Sequence, residues 1–97
     1  MRYEIEFAPQ AAQDYRDLDA HVCAGVRDAI ETHLRRQPTK TSKSRIKRLR
    51  GLSRPQYRLR VGDIRVFYDV SETTVEILAI VEKSRANKWL ERCGERS

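Results

Sequence analysis

The side chains best placed to do chemistry in this chain are arginines. Between Tyr57 and Val70 it reads YRLRVGDIRVFYDV, two alternating runs joined by Gly62-Asp63. Glycine in the first position of a two-residue loop is the signal of a type II′ hairpin turn. That loop pairs Val61 with Ile64, Leu59 with Val66 and Tyr57 with Tyr68. On the other face Arg60 lies opposite Arg65, and Arg58 lies opposite Phe67. Like charges set directly across two strands destabilise a sheet, so such a face is expected to hold an anion. Arg58 and Arg60 stand about 7 Å apart along their strand, and Lys83 or Arg85 falls where the last strand ends. A set of this kind can bind a phosphodiester and neutralise the extra charge of its pentacovalent transition state. Ribonucleic acid brings its own nucleophile, the 2′-hydroxyl, so the protein need only position groups, neutralise charge and move protons. Arginine is a poor base, with a pKa above ~12. Lys83, Tyr57 or Tyr68 would have to assist, unless the substrate complex supplies the proton acceptor. The plainer role of Tyr57 and Tyr68 is a stacked cross-strand pair in the core.

Other chemistries find no support. The chain has no phosphate-binding glycine loop, no metal-ligand spacing and no nucleophile elbow, so neither metal nor cofactor is expected. His21 and His33 fall in a helical region remote from the hairpin, Asp63 sits in the turn, and Asp69 stands alone. Cys23 and Cys93 fit no disulfide framework and are expected to act as small hydrophobes.

The charge is concentrated. Of a net +6 over 97 residues, the 26 residues from Lys40 to Arg65 carry ten basic side chains against Asp63 alone, a local +9, while both flanks are slightly acidic. A block of this sign is the electrostatic footprint of a nucleic-acid binder. A solvated basic loop is the alternative, but the block runs straight into the arginine hairpin, which favours nucleic acid.

The elements that must position these groups follow from periodicity. RYEIEF alternates, with Tyr3, Ile5 and Phe7 on one face, and predicts a half-buried strand. Pro9 suits the first turn of a helix that carries Ala11 or Ala12, Tyr15 and Leu18. Asp17 or Asp19 is placed to cap a second helix bearing Val22, Val26, Ala29, Ile30 and Leu34, which Pro38 ends. Residues 39–52 are polar and basic, anchored by Ile46, Leu49 and Leu52, and predict a loop with a short strand near Ile46–Leu49. After the hairpin, VEILAIVEK predicts a strand covered on both faces. Ser84 is placed to cap a last helix that ends near Gly94. The fold class is α+β: a strand, a helical pair, a three-stranded antiparallel meander and a short C-terminal helix. The helices are expected on one face of the sheet and the arginines on the other. The length fits one domain over residues 1–97. No apolar run reaches the ~18 residues that span a membrane, and the N-terminus lacks the apolar centre of a signal peptide. A soluble, cytoplasmic protein is expected.

With these elements in place, KRLRGL, YRLRVGDIRVFYDV and VEILAIVEKSRANKWL together resemble the RelE/ParE family of toxins of bacterial toxin–antitoxin pairs. The likeness covers nearly the whole chain and implies a small barrel-like or microbial-RNase-like α+β domain. The RelE branch is similar to ribosome-dependent mRNA endonucleases that cut the codon in the ribosomal A site. By that resemblance the catalytic set is Arg58, Arg60 and Arg65, with Lys83 or Arg85 as a fourth basic group. Contacts to mRNA and the ribosome would come from Lys43, Arg45, Lys47, Arg48, Arg50, Arg54 and Lys88. The resemblance also implies a cognate antitoxin, with acidic residues over the arginine face and apolar residues in the grooves. Two departures stand out: the strand positions where the endonucleases commonly carry lysines hold arginines, and Trp89-Leu90 replaces a C-terminal tyrosine or histidine. Trp89 is placed either to stack on a base or, more simply, to anchor the last helix. Two other readings stay open, a ParE-like inhibitor that binds DNA gyrase and cuts nothing, and a nucleic-acid-binding module without toxicity.

Overall fold

The structure, a computed structural model, describes residues 2–97. A five-stranded sheet runs in the order β1-β6-β5-β4-β2, formed by Glu4–Phe7 (β1), Ile46–Arg48 (β2), Tyr57–Val61 (β4), Ile64–Val70 (β5) and Thr74–Glu82 (β6). All neighbours are antiparallel except β1 and β6, which are parallel. A separate two-stranded ladder joins Leu52–Arg54 (β3) to Glu95–Arg96 (β7). These strands, of three and two residues, are too short to carry a period, so no local pattern marks them.

The hairpin has the expected register, with Tyr57, Arg58, Leu59, Arg60 and Val61 opposite Tyr68, Phe67, Val66, Arg65 and Ile64. Gly62 has φ +58° and Asp63 does not have a positive φ. Positive φ at the first central position alone is the II′ pattern, and glycine adopts it without steric cost.

Pro9–Arg16 (α1) and Ala20–Ala29 (α2) form the helical pair, with Pro9 in the first turn of α1. Asp19 occupies the capping position of α2, but its side chain makes no cap bond. Residues Ile30–Leu34 extend α2 as a π-helical turn, in which Arg35 N donates to Ile30 O at 3.2 Å. Ala11, Val26, Ile30 and Leu34 pack on Leu59, Val66, Tyr68, Val75, Ile77 and Ile80, forming the main core. Ile77 and Ile80 are an odd number of residues apart, yet both face the helices. An irregularity in the β5–β6 ladder makes this possible, since Phe67 pairs with Ala79 and Tyr68 with Ile77, leaving Leu78 as an extra residue.

The expectation that all helices share one face is corrected. Lys83–Cys93 (α3) packs on the opposite face, where Ala86, Trp89 and Leu90 cover Phe67, Ala79 and Val81. The reason lies in the alternation itself. A face that carries Phe67, Ala79 and Val81 beside the arginines is apolar over half its width and needs a cover. Ser84 does not cap α3. The helix starts at Lys83, with Glu82 in the capping position.

Candidate nucleic-acid interface

The basic face is built across three neighbouring strands. Lys47 of β2 pairs with Arg58 of β4, and Arg60 of β4 pairs with Arg65 of β5. Strands lie about 4.8 Å apart, so four cations crowd one patch beside α3. Among the described residues, none of the four is in an ion pair. Their environments differ. Lys47 and Arg60 are exposed, Arg58 is half-buried, and Arg65 is only 6% exposed. The Arg65 guanidinium donates from Nη1 to the carbonyls of Gly62 (2.9 Å) and Ile64 (3.1 Å), bracing the turn. The Arg58 Nε is shielded and has no hydrogen-bond partner. Burial, and then the nearby Arg65 and Arg60 charges, hold the Arg58 guanidinium below its ordinary pKa. An anion seated there would relieve both the orphaned donor and the mutual repulsion.

The remaining basic residues named from the sequence are dispersed. Arg45 reaches the patch through its backbone, since its carbonyl accepts from Arg60 N at 2.8 Å, but its guanidinium turns to His33 Nε2 at 3.1 Å. His33 is pushed below its ordinary pKa by burial and by Arg45, which keeps it neutral and able to accept. Arg48 points to the other face, over the Tyr57 ring at 5.2 Å, and donates to Gln56 O at 2.8 Å. Arg54 is held by Glu76 (3.2 Å) and Asp69 (3.5 Å). Lys43 and Arg50 are exposed in loops. Lys83 lies beside the hairpin, because its N–H donates to Asp63 O at 2.7 Å. Arg85 and Lys88 line a groove between α1 and α3 instead.

Proton carriers are scarce on this face. Tyr57 and Tyr68 stack at 5.5 Å and 16°, on the side of the helical pair. Tyr68 is buried and donates its hydroxyl proton to Pro38 O at 2.7 Å, and burial beside Tyr57 drives its pKa far above the usual tyrosine range. Trp89 stacks on Phe67 at 5.0 Å and 5°, anchoring α3 to the sheet. The arrangement of the face can accommodate and neutralise an anion, but among the described residues it offers no side chain tuned to take a proton. Sequence reasoning missed Asp14 and Arg92, which share the α1–α3 groove. The spacing of Arg85, Lys88 and Arg92, three and four apart, was a legible sign of one helix face.

Comparison with known proteins gives this geometry a family. Residues 5–87 match the family model of the ParE toxin of the type II toxin–antitoxin system parDE. The chain belongs to the RelE/ParE family of toxins. It is a toxin of a type II toxin–antitoxin system. In structure the toxin is similar to the RelBE2 toxin–antitoxin complex from Mycobacterium tuberculosis, at 26% identity and TM-score 0.67, covering 84% of this chain and 99% of that one. It is also similar to the archaeal RelE–RelB complex from Pyrococcus horikoshii OT3, at 25% identity and TM-score 0.65, covering 88% and 99%. The YoeB dimer from Staphylococcus aureus shares the fold at 21% identity and TM-score 0.62, covering 81% and 94%. No curated protein matches the toxin in sequence. That two of these relatives are seen bound to antitoxins supports a cognate antitoxin as its partner. Among the described residues no helix is long and apolar enough to cross a membrane.

Proposed function

We propose that this toxin is a ribosome-dependent mRNA endonuclease that arrests translation in the cytoplasm. The observation that carries the reading is the patch of Lys47, Arg58 and Arg60, clustered on one face and free of carboxylate partners. In the proposed reaction the 2′-hydroxyl of one nucleotide attacks the adjacent phosphorus and the bond to the 5′-oxygen of the next nucleotide breaks, leaving a 2′,3′-cyclic phosphate and a 5′-hydroxyl whose proton comes from water. Arg58 and Arg60 neutralise the non-bridging oxygens as they gain charge, Lys47 holds the neighbouring phosphate, and Lys83 stands at the edge of the patch. Arg65 holds the turn that sets the spacing of the other cations. The proton of the 2′-hydroxyl passes to an acceptor contributed by the ribosome–mRNA complex, consistent with a face that has none of its own.

The test is primer extension on programmed ribosomes with purified toxin. Cuts within the A-site codon are expected, and Arg58→Ala and Arg60→Ala should each lower kcat/KM by on the order of a hundredfold, the usual cost of one charge-stabilising donor. Intact message at saturating toxin would overturn the reading.

The lack of a proton acceptor on the patch favours a second reading, in which the toxin binds DNA gyrase as the ParE branch does and cuts nothing. Here purified gyrase should lose supercoiling activity when toxin is added while ribosomal message stays whole. Growth unaffected by expression of the toxin alone would exclude both and leave a binding module.

A further inference from the structure

The end of the helical pair meets the basic block at a second cationic site. His33 stands half-buried in the π-helical turn Ile30–Leu34. Turns of this kind are rare and occur frequently at functional sites. Between that turn and the edge strand β2 lies a cavity of about 210 Å³, whose lining includes His33, Lys40, Ser42 and Arg45. Among the described residues no carboxylate lines it. The charged neighbours of His33 on its own turn are engaged elsewhere: Glu31 accepts from Arg35 at 2.7 Å, and Arg36 lines a separate hollow with Arg2. The loop that carries Arg45 is held in place. Ser42 N donates to Ile46 O at 2.9 Å, and Ser42 Oγ accepts from Arg45 N (3.0 Å) and Ile46 N (3.3 Å). Through its carbonyl Arg45 is tied to Arg60 N, so it continues the row of Arg58, Arg60 and Lys47 around the β2 edge.

The charge of this cavity depends on one proton. An arginine can only donate, so the 3.1 Å contact between Arg45 Nη1 and His33 Nε2 leaves Nε2 without a proton. At neutral pH the Arg45 guanidinium is thus spent on a neutral ring. A proton on Nε2 removes that acceptor and sets two cations against each other, with Lys40 as a third on the lining. An oxyanion between them relieves the repulsion, and both then donate to it. The Ser42 hydroxyl, which accepts twice, keeps its own proton to donate. A phosphodiester suits this set, because it stays anionic throughout the range in which histidine titrates.

We infer that the His33–Lys40–Arg45 cavity is a second phosphate site, which takes a phosphodiester of the RNA strand lying on the basic patch and fills as His33 gains a proton. Continuity decides for RNA over an acidic peptide: the cavity prolongs a row of cations, and a nucleic-acid strand carries a charge at every step of such a row. Linkage makes the effect reciprocal. The factor that protonation adds to RNA affinity is the factor that RNA adds to the proton affinity of His33. The inference rests on the reading that the patch holds RNA and is independent of whether the toxin cuts it.

The experiment follows the His33 ring of full-length toxin by NMR, with and without a 2′-O-methyl hexanucleotide that cannot be cleaved. His21, outside the cavity, is the internal reference. Saturating hexanucleotide should raise the His33 titration midpoint by about one pH unit, and affinity should be severalfold higher at pH 5.5 than at pH 7.5. His33→Gln keeps an acceptor for Arg45 but cannot titrate, so it should lose that pH dependence. Arg45→Ala should weaken binding severalfold at pH 5.5 and little at pH 7.5, where the guanidinium is tied to His33. The backbone amides of Arg58 and Arg60 report the patch in the same spectra. If they respond to the hexanucleotide and His33 does not, the inference falls and the patch reading stands. If neither responds, both fall. A pH dependence that survives in His33→Gln also overturns the inference. So does an equal His33 response to an acidic hexapeptide, or to inorganic phosphate at the same concentration of phosphate groups, which would make the cavity a site for a peptide or a free anion.

Discussion

Arg60 and Arg65 face each other across β4 and β5, yet Arg60 is exposed and Arg65 is buried. Sequence reasoning treats the two alike and expects truncation of either to relieve repulsion without loss of stability. The structure divides them. Arg60→Ala should leave the unfolding free energy unchanged or slightly higher, whereas Arg65→Ala removes two bonds to turn carbonyls and should cost about 2 kcal/mol. Urea denaturation of both variants measures the difference, and equal stabilities would mean that the Arg65 contacts contribute nothing. Asp14 yields a prediction of opposite sign to the usual carboxylate. Its folded pKa lies above the unfolded 3.8, so the native state binds the extra proton first. Stability from this group therefore rises as pH falls through the raised folded value, is complete below 3.8, and is missing at neutral pH. Asp14→Asn keeps an acceptor for Ile80 N–H without a buried charge. The variant should melt no lower than wild type at pH 7, and the Tm difference should shrink or reverse on acidification. A variant that melts well below wild type at pH 7 would show that the charge itself stabilises the contact.

At the scale of elements, α3 rests on a satellite cluster of Phe67, Ala79, Ala86, Trp89 and Leu90, separate from the main core. Small clusters of this kind form units of lower local stability. Trp89 is the only tryptophan, so its fluorescence reports on α3 alone. The emission change should come at a lower urea concentration than the loss of sheet circular dichroism, and coincident transitions would mean that α3 unfolds with the sheet. Trp89→Ala should destabilise by on the order of 3 kcal/mol, the low end for a large aromatic because the ring is part-exposed. The hairpin was fully legible because its turn residues, its alternation and its pairing all lie within fourteen residues. The helical pair was legible from its spacing of apolar residues. The side that α3 takes was not, since its stripe of Ala86, Trp89 and Leu90 would fit any apolar surface within reach.

For the whole molecule, the uneven charge predicts salt dependence. If Lys47, Arg58 and Arg60 each release a counterion on meeting RNA, affinity for programmed ribosomes should fall with a log–log slope near −2. That is roughly 20-fold between 50 and 200 mM salt, and filter binding measures it. A flat response would mark an apolar, protein-directed interface and favour the gyrase reading. The local sequence by itself determined the order of the helices and of the strands of the main sheet, the register of the hairpin, the common face of Arg58, Arg60 and Arg65, and the basic block, because each depends on periodicity or turn chemistry over a few residues. The short β3 and β7 carry no such period. The tertiary structure alone decided which cations remain free. Arg54 meets Asp69 and Glu76, Arg45 meets His33, and Arg65 turns inward to its own loop. Tertiary structure also decided that β1 covers only half of β6 and that Asp14 closes part of the rest. These outcomes depend on groups up to 66 residues apart in the chain, and the free energy of such contacts is set by burial and partner geometry, which no local pattern encodes.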